Sequence, residues 1–310
     1  MNAILFPGQG SQIVGMGLEF YNNFEIVKKI FKEADDKLNY SISKIILEGP
    51  EDKLKLTENT QPAILTVSYS IFSVLKKEFN FDQTKFFAGH SLGEYSALVC
   101  SESLKFSDAL FLLFERGKAM QEAVPLGKGS MIAVLGLKIN EIKNLINELK
   151  LKGVCEIAND NAEGQTIISG DVESINLLQN ILKKNKKKFI PLNVSAPFHC
   201  SLMKPAAVKM EEKINSINFE KPKFDVVCNV TSRPENNPEN IKKLLIDQIC
   251  STVRWRESLI NMAEVEINNF IEIGPGKVLS GMAKRTVKNI NCFSINSIDD
   301  MKKTIDGFKK

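Results

Sequence analysis

The sequence predicts an α/β protein whose parallel-sheet core is interrupted by a ferredoxin-like subdomain. Three observations carry that reading. Short apolar strands alternate with helical stretches through the first third of the chain. The order strand, helix, strand, strand, helix, strand occupies the middle. A strand runs directly into Gly89-His90-Ser91-Leu92-Gly93 and then a helix, the strand–turn–helix setting that a G-x-S-x-G motif requires.

The elements follow in chain order. Residues 3–6 form a short apolar strand that leads into a glycine-bearing loop. A helix starts near Pro62, whose fixed φ and missing N–H suit a first turn, and reaches about residue 78. Its apolar positions include Ile64, Leu65, Ile71, Phe72, Val74 and Leu75. Residues 85–88 make the strand before the motif, and a helix begins near Glu94. Ser107 and Asp108 open a further helix that ends near residue 123. Strands separated by helices imply a parallel sheet covered on both faces.

In the middle, strands are expected at 130–135, 153–158, 165–169 and 189–194. Helices are expected at 139–149 and from an Asp171 cap to about residue 184. This set lies between Pro125-Leu126-Gly127-Lys128-Gly129 and Ser195-Ala196-Pro197. The expected division is therefore a core of residues 1–123 and 196–310 with a subdomain at 124–195. A late strand at 270–273 meets Gly274-Pro275-Gly276 and one long final helix.

Composition narrows the function classes. The 310 residues are 43% hydrophobic and 25% charged, enough for a sizeable core. No apolar run approaches the roughly 18 residues that cross a bilayer, and no basic, cleavable leader precedes the first strand. Six scattered cysteines, none in a C-x-x-C pair, read as reduced thiols of a cytoplasmic protein, with no metal site expected. The net charge of +4 is modest. The dense basic run at Lys183-Lys184-Asn185-Lys186-Lys187-Lys188 is either a solvated helix end or a contact for an acidic partner. Without interleaved aromatics or arginines it does not read as a nucleic-acid surface.

The motif directs attention to Ser91. Its glycines permit a tight turn that pushes the hydroxyl out from the sheet edge. The following helix aims backbone N–H groups at the same point, which suits an oxyanion. A serine hydroxyl needs a neighbouring base, and the chain has two histidines, His90 and His199. His90 sits inside the turn and reads as a packed, hydrogen-bonded residue directed away from the cleft. His199, in Ser195-Ala196-Pro197-Phe198-His199-Cys200, lies where the chain re-enters the core and is the candidate base. A hydrolase would place an acid between serine and histidine in chain order, but Asp160 and Asp171 have no motif around them. A backbone or amide oxygen is the other way to orient the imidazole.

Arg116 shares a helical face with Ala109, Leu112, Leu113 and Met120. A charge on an apolar face is costly unless paired. One reading is an internal pair with Glu115, Glu122 or Asp108. The other is a bidentate salt bridge to a substrate carboxylate near Ser91.

Taken together, these residues resemble a known family. Phe6-Pro7-Gly8-Gln9-Gly10-Ser11-Gln12, Gly89 to Gly93 with Glu94-Tyr95, Arg116-Gly117, Met120-Gln121 and Ala196-Pro197-Phe198-His199 fall in that family's order. So do Gln248, Trp255 and Ile273-Gly274-Pro275-Gly276-Lys277. The chain is similar over essentially its whole length to the malonyl-CoA:acyl carrier protein transacylases of bacterial type II fatty-acid synthesis. The resemblance implies a hydrolase-like α/β core with a ferredoxin-like insert. It implies Ser91 as the acyl-ester nucleophile, His199 as base, and Gln9 and Leu92 as backbone donors of the oxyanion hole. It further implies Arg116 as the malonyl carboxylate ligand and Gln248 as the backbone carbonyl that orients His199. Phe198 replaces the serine found there in some members and accords with an unbranched malonyl group. The implied partners are malonyl-CoA as substrate and holo acyl carrier protein as acceptor, with no cofactor, metal, nucleic acid or membrane and a monomeric, cytoplasmic enzyme. A trans-acting acyltransferase of a polyketide pathway would use the same residues.

Overall fold

In the computed structural model, residues 1–194 and 196–308 are described; Ser195 of the His199 segment, Lys309 and Lys310 lie outside them. Among the described residues the larger sheet contains β1 (Asn2–Phe6), β2 (Thr84–Gly89), β7 (Asp225–Val227), β8 (Pro234–Glu235), β9 (Asn269–Ile273) and β10 (Asn291–Ile295). The second sheet contains β3 (Gly129–Leu135), β4 (Cys155–Ala162), β5 (Gln165–Asp171) and β6 (Lys188–Pro191).

β1 is apolar from Ala3 to Phe6 and buried at every position, as a strand covered by helices on both faces must be. It pairs in parallel with β2 on one side and β9 on the other. The full order is β10-β9-β1-β2-β7-β8, parallel throughout except for the short edge strand β8. Ile4 and Phe6 face one helical layer while Ala3 and Leu5 face a second cluster around Trp255, so the alternation of the pleat divides the core.

Two expectations for this sheet are corrected. The helix before β2, separated from β1 by four helices at Leu18–Asn23, Glu25–Leu38, Ile42–Glu48 and Glu51–Lys55, spans Thr57–Leu75 rather than starting near Pro62, so that the proline lies within it. Its first turns are polar yet buried: Asn59 Nδ2 and Thr60 Oγ1 donate to the carbonyls of Lys53 (2.9 Å) and Leu54 (2.6 Å). Polar residues hid the helix start because a sequence pattern reads polarity as exposure. The C-terminal region is not one long helix but Val278–Thr286, then β10, then Ile298–Phe308. β10 is a half-buried edge strand containing Asn291, Cys292 and Ser294, which lacks the apolar run of its neighbours.

The second sheet has the order β4-β5-β3-β6 with every pairing antiparallel, the ferredoxin-like topology. Ile132 and Val134 of β3 pack with Ile142, Ile175 and Leu178 of the two helices, Ile139–Glu148 and Val172–Lys184. Met131 and Ala133, on the opposite face, join the main core. Asp171 Oδ1 accepts from the Ser174 N–H at 2.8 Å, capping the second helix. β4 runs beyond the expected residue 158 to Ala162, with register shifts at Ile157/Asn159 and Asp160/Ala162. Asn159, Asp160 and Asn161 read as loop in the sequence, yet all three are buried, and Asn159 and Asn161 border the cleft described next. β6 ends at Pro191, short of the expected 194.

Candidate active site

β2 ends at Gly89 and the next helix spans Gly93–Cys100, leaving three residues for the reversal. A Cβ on Gly89 would collide with the Gly93 backbone, so the close approach of strand and helix requires glycine there. The left-handed backbone falls on Ser91 itself, at φ 54°, which projects its side chain from the turn. Asn229, fully buried after β7, holds this turn from both sides. Its Oδ1 accepts from the Ser91 N–H at 2.7 Å, and its Nδ2 donates to the Gly89 carbonyl at 2.7 Å.

Ser91 Oγ lies 2.7 Å from His199 Nε2, and His199 Nδ1 lies 2.9 Å from the Gln248 carbonyl oxygen. A carbonyl only accepts, so Nδ1 carries the proton and Nε2 is left to accept from the serine hydroxyl. Burial, and then the nearby Arg116 guanidinium, push the His199 pKa down to about 3, so the free ring is neutral. Among the described residues no acid completes a triad. Asp160 is bonded to Arg256 Nε at 2.9 Å, and Asp171 is occupied at its helix cap.

Arg116 projects from the helix Phe106–Glu122 and is only 1% exposed. Nη1 donates to Gln61 Oε1 at 2.8 Å; Nη2 donates to Gln248 Oε1 at 2.8 Å and to Ser91 Oγ at 3.2 Å. Its two acidic neighbours in sequence turn outward: Glu115 pairs with Lys213 and Glu122 with Lys209. Among the described residues Arg116 has no ion-pair partner. Desolvation lowers its pKa, opposed by the nearby Tyr95 and Glu94. Its guanidinium lies 5.9 Å from the Tyr95 ring centroid, and its Nε is buried without a hydrogen-bond partner among the described residues. A desolvated cation whose hydrogen bonds run only to neutral oxygens retains an unmet demand for an anion.

A cleft of about 360 Å³ opens over these groups. Gln9, Ser91, Arg116, Phe198 and His199 border it from the larger unit, and Met131, Asn161 and Ile167 from the second sheet. Gly8 approaches the elbow so closely that a Cβ there would sit 2.5 Å from the His90 carbonyl oxygen, which carries Gln9 alongside Ser91. The backbone N–H groups of Gln9 and Leu92 have no acceptor among the described residues. His90 is also among the residues that border the cleft. Its Nε2 lies 2.8 Å from Asn161 Oδ1 and its ring meets Trp255 edge-on, with burial lowering its pKa.

The structure adds residues that sequence reasoning did not select: Gln61, Glu94, Asn161 and Asn229. Glu94 is fully buried, and burial raises its pKa to about 7 against the hydrogen bonds from the Asn229 N–H and the Gln248 side chain. In the sequence it stood only as part of the motif Gly89 to Gly93 with Glu94-Tyr95, which assigned it no role. The described residues contain no cluster of three metal-ligating side chains, and none of their helices is long and apolar enough to cross a membrane.

A serine on a strained strand–helix turn, a neutral imidazole against it and a desolvated arginine beside it define an acyl-transferring α/β enzyme. The acyl transferase domain family matches residues 4–310. Malonyl CoA-acyl carrier protein transacylases of Bacillus subtilis and Escherichia coli K12 are each 40% identical to the chain. The first covers 99% of this chain and 97% of its own length; for the second both shares are 95%. The crystal structure of an acyl-carrier-protein-S-malonyltransferase from Bartonella henselae superposes with a TM-score of 0.96 at 38% identity, covering 100% of this chain and 99% of its own. A malonyl-transacylase solved in complex with its type II polyketide-synthase acyl-carrier protein gives 0.95 at 38% identity, covering 99% of each chain. The chain belongs to the acyl transferase domain family, in the branch of the malonyl CoA-acyl carrier protein transacylases.

Proposed function

We propose that the chain transfers malonyl from malonyl-CoA to the phosphopantetheine thiol of holo acyl carrier protein through a malonyl ester on Ser91. The observation that carries this reading is Arg116: buried, without a carboxylate partner, and 3.2 Å from Ser91 Oγ. A cation so placed selects an acyl group that brings its own carboxylate.

In this mechanism His199 Nε2 takes the Ser91 proton as Oγ attacks the thioester carbonyl. The resulting oxyanion is received by the N–H groups of Gln9 and Leu92. Collapse expels coenzyme A, whose thiolate takes the proton from His199. The carrier thiol then enters, His199 takes its proton, and the thiolate attacks the ester. Ser91 departs as alkoxide and recovers a proton from the imidazolium. The Gln248 carbonyl holds the imidazole in the required tautomer throughout, in the place where a triad would put an acid. Arg116 fixes the malonyl group so that attack is effectively intramolecular. Phe198, 7% exposed at the cleft, crowds the α-carbon and favours an unbranched acyl chain. The serine chemistry needs no cofactor or metal.

Residues 124–195 serve in this reading as a subdomain whose sheet forms one wall of the cleft. The rest of the chain is the catalytic core of a monomeric, cytoplasmic enzyme. The second reading, a polyketide acyltransferase, is favoured by the likeness to the transacylase bound to its polyketide-synthase carrier. Intact-mass spectrometry after mixing with malonyl-CoA tests the mechanism, with a malonyl adduct expected on wild type and none on Ser91→Ala. Absence of an adduct on wild type, or its persistence in Ser91→Ala, would remove the covalent assignment. Comparing transfer to carrier proteins of the two pathways then separates the readings.

A further inference from the structure

The Gln248 side chain connects Arg116 to a residue outside the cleft. Its Oε1 accepts from Arg116 Nη2 at 2.8 Å. Its Nε2 donates to Glu94 Oε2 at 2.8 Å and to the Ser91 carbonyl at 3.1 Å. Glu94 Oε2 also accepts from the Asn229 N–H at 2.9 Å, and the Asn229 side chain in turn holds the Ser91 N–H. Glu94 is 1% exposed and Gln248 fully buried, so water does not replace a lost partner here.

A primary amide has two ends of nearly equal size and opposite function. An arginine donates only, so the end of Gln248 that meets Arg116 has to be the oxygen. That orientation persists only if the opposite side offers acceptors to the NH2 group. Three acceptors are present: Glu94 Oε2 and the Ser91 carbonyl, and at the longer distance of 3.5 Å Asn229 Oδ1. Without Glu94, one N–H would be left with only the 3.5 Å contact to Asn229 Oδ1, which already accepts from the Ser91 N–H, and a flipped or displaced amide would turn its donors toward the guanidinium. We propose that Glu94 is a positioning residue for acyl-group selectivity: it fixes the Gln248 amide, which fixes the Arg116 guanidinium beside Ser91.

This inference rests on the reading of Arg116 as the malonyl carboxylate ligand. The position calls for an acceptor oxygen rather than a charge. Oε2 takes both hydrogen bonds, and a proton on Oε1 leaves them intact. Glutamine can therefore replace glutamate, by presenting its amide oxygen where Oε2 stands. Methionine, of similar length, cannot.

The test is the ratio of kcat/KM for malonyl-CoA over acetyl-CoA in wild type, Glu94→Gln, Glu94→Met, Arg116→Ala and Glu94→Met combined with Arg116→Ala. One buried hydrogen bond lost between Gln248 and its acceptor corresponds to about a tenfold change. Glu94→Met is expected to lower the malonyl-to-acetyl ratio by about that factor, and Glu94→Gln to hold it within about threefold. In the Arg116→Ala background, Glu94→Met should leave the ratio where Arg116→Ala alone puts it, because its route to selectivity is gone. Equal losses on both thioesters in Glu94→Met, or a ratio that Glu94→Met lowers as much without Arg116 as with it, would overturn the proposal. If Glu94→Met does not fold, Glu94→Gln and Gln248→Glu still decide. A carboxylate at 248 cannot donate to Glu94, so an unchanged ratio in Gln248→Glu would also overturn it. Failure of wild type to prefer malonyl-CoA, or a preference that survives Arg116→Ala, would instead remove the underlying reading of Arg116.

Discussion

Arg116 Nη2 stands 3.2 Å from Ser91 Oγ, and the hydrogen bonds of the guanidinium that makes this contact run to amide and hydroxyl oxygens. The same group is therefore close enough to influence both the acyl substrate and the base that activates the serine. Several measurable properties should depend on this proximity.

Arg116→Ala should change selectivity more than general reactivity. Malonyl-CoA carries a carboxylate that acetyl-CoA lacks, and a desolvated bidentate arginine favours it by a few kcal/mol. The malonyl kcat/KM should fall by about 10²-fold or more, while acetyl transfer persists or rises. Steady-state kinetics on both thioesters read this directly. An unchanged ratio would make Arg116 a structural residue.

The two histidines should separate by role. His199→Ala removes the hydroxyl's acceptor and should cost about 10³-fold or more in transfer rate. His90→Ala removes the bond to Asn161 and the edge contact with Trp255, and should show mainly as lost stability. Rates paired with thermal unfolding of each variant check this. Equal catalytic losses in two well-folded variants would contradict it.

Asn229 should matter more to folding than its distance in sequence suggests. It satisfies the Ser91 N–H and the Gly89 carbonyl inside a buried turn that already holds Ser91 at φ 54°. Asn229→Leu leaves both groups unmatched, at about 1–3 kcal/mol each. Urea unfolding should register a loss of that order together with reduced labelling of Ser91. A variant as stable as wild type would mean that the turn holds without this side chain.

How much of this was legible in the chain depended on the range of each interaction. Ser91 was announced by a contiguous motif, and His199 by the scarcity of histidine. Arg116 stood out because a charge on an apolar helical face violates a local pattern. Its actual partners did not. Gln61 and Gln248 lie 55 and 132 positions away, and Asn229 lies 138 positions from Ser91. A single sequence carries no local mark of such pairings, because the residues are polar in stretches that pattern reading assigns to the surface. The same blindness hid the start of the helix Thr57–Leu75 and the end of β4. In both, buried amides and hydroxyls occupy positions where a periodic apolar pattern would have revealed burial. β10 escaped for the opposite reason, since an edge strand has little apolar alternation to display.

The pH dependence of the reaction should carry the signature of Arg116 acting on His199. Burial first, and the guanidinium second, lower the His199 pKa to about 3 from an ordinary value near 6.5. A base with a depressed pKa is active above that value and is lost only as pH falls through it. The acid limb of kcat/KM, which reports the free enzyme, should therefore lie well below 6.5. Bound malonyl changes the balance. Its carboxylate neutralises the guanidinium's field, which removes part of the cost of protonating His199, so the pKa rises in the complex. The acid limb of kcat for malonyl transfer should lie at higher pH than that of kcat/KM. Acetyl-CoA brings no carboxylate and should show a smaller separation. Arg116→Ala should raise the limb in the free enzyme, because the positive neighbour is gone. Profiles of both parameters for both thioesters decide the matter. An acid limb near 6.5 in kcat/KM, with no movement on removing Arg116, would show that the guanidinium does not act on the base and that its proximity to Ser91 serves substrate binding alone.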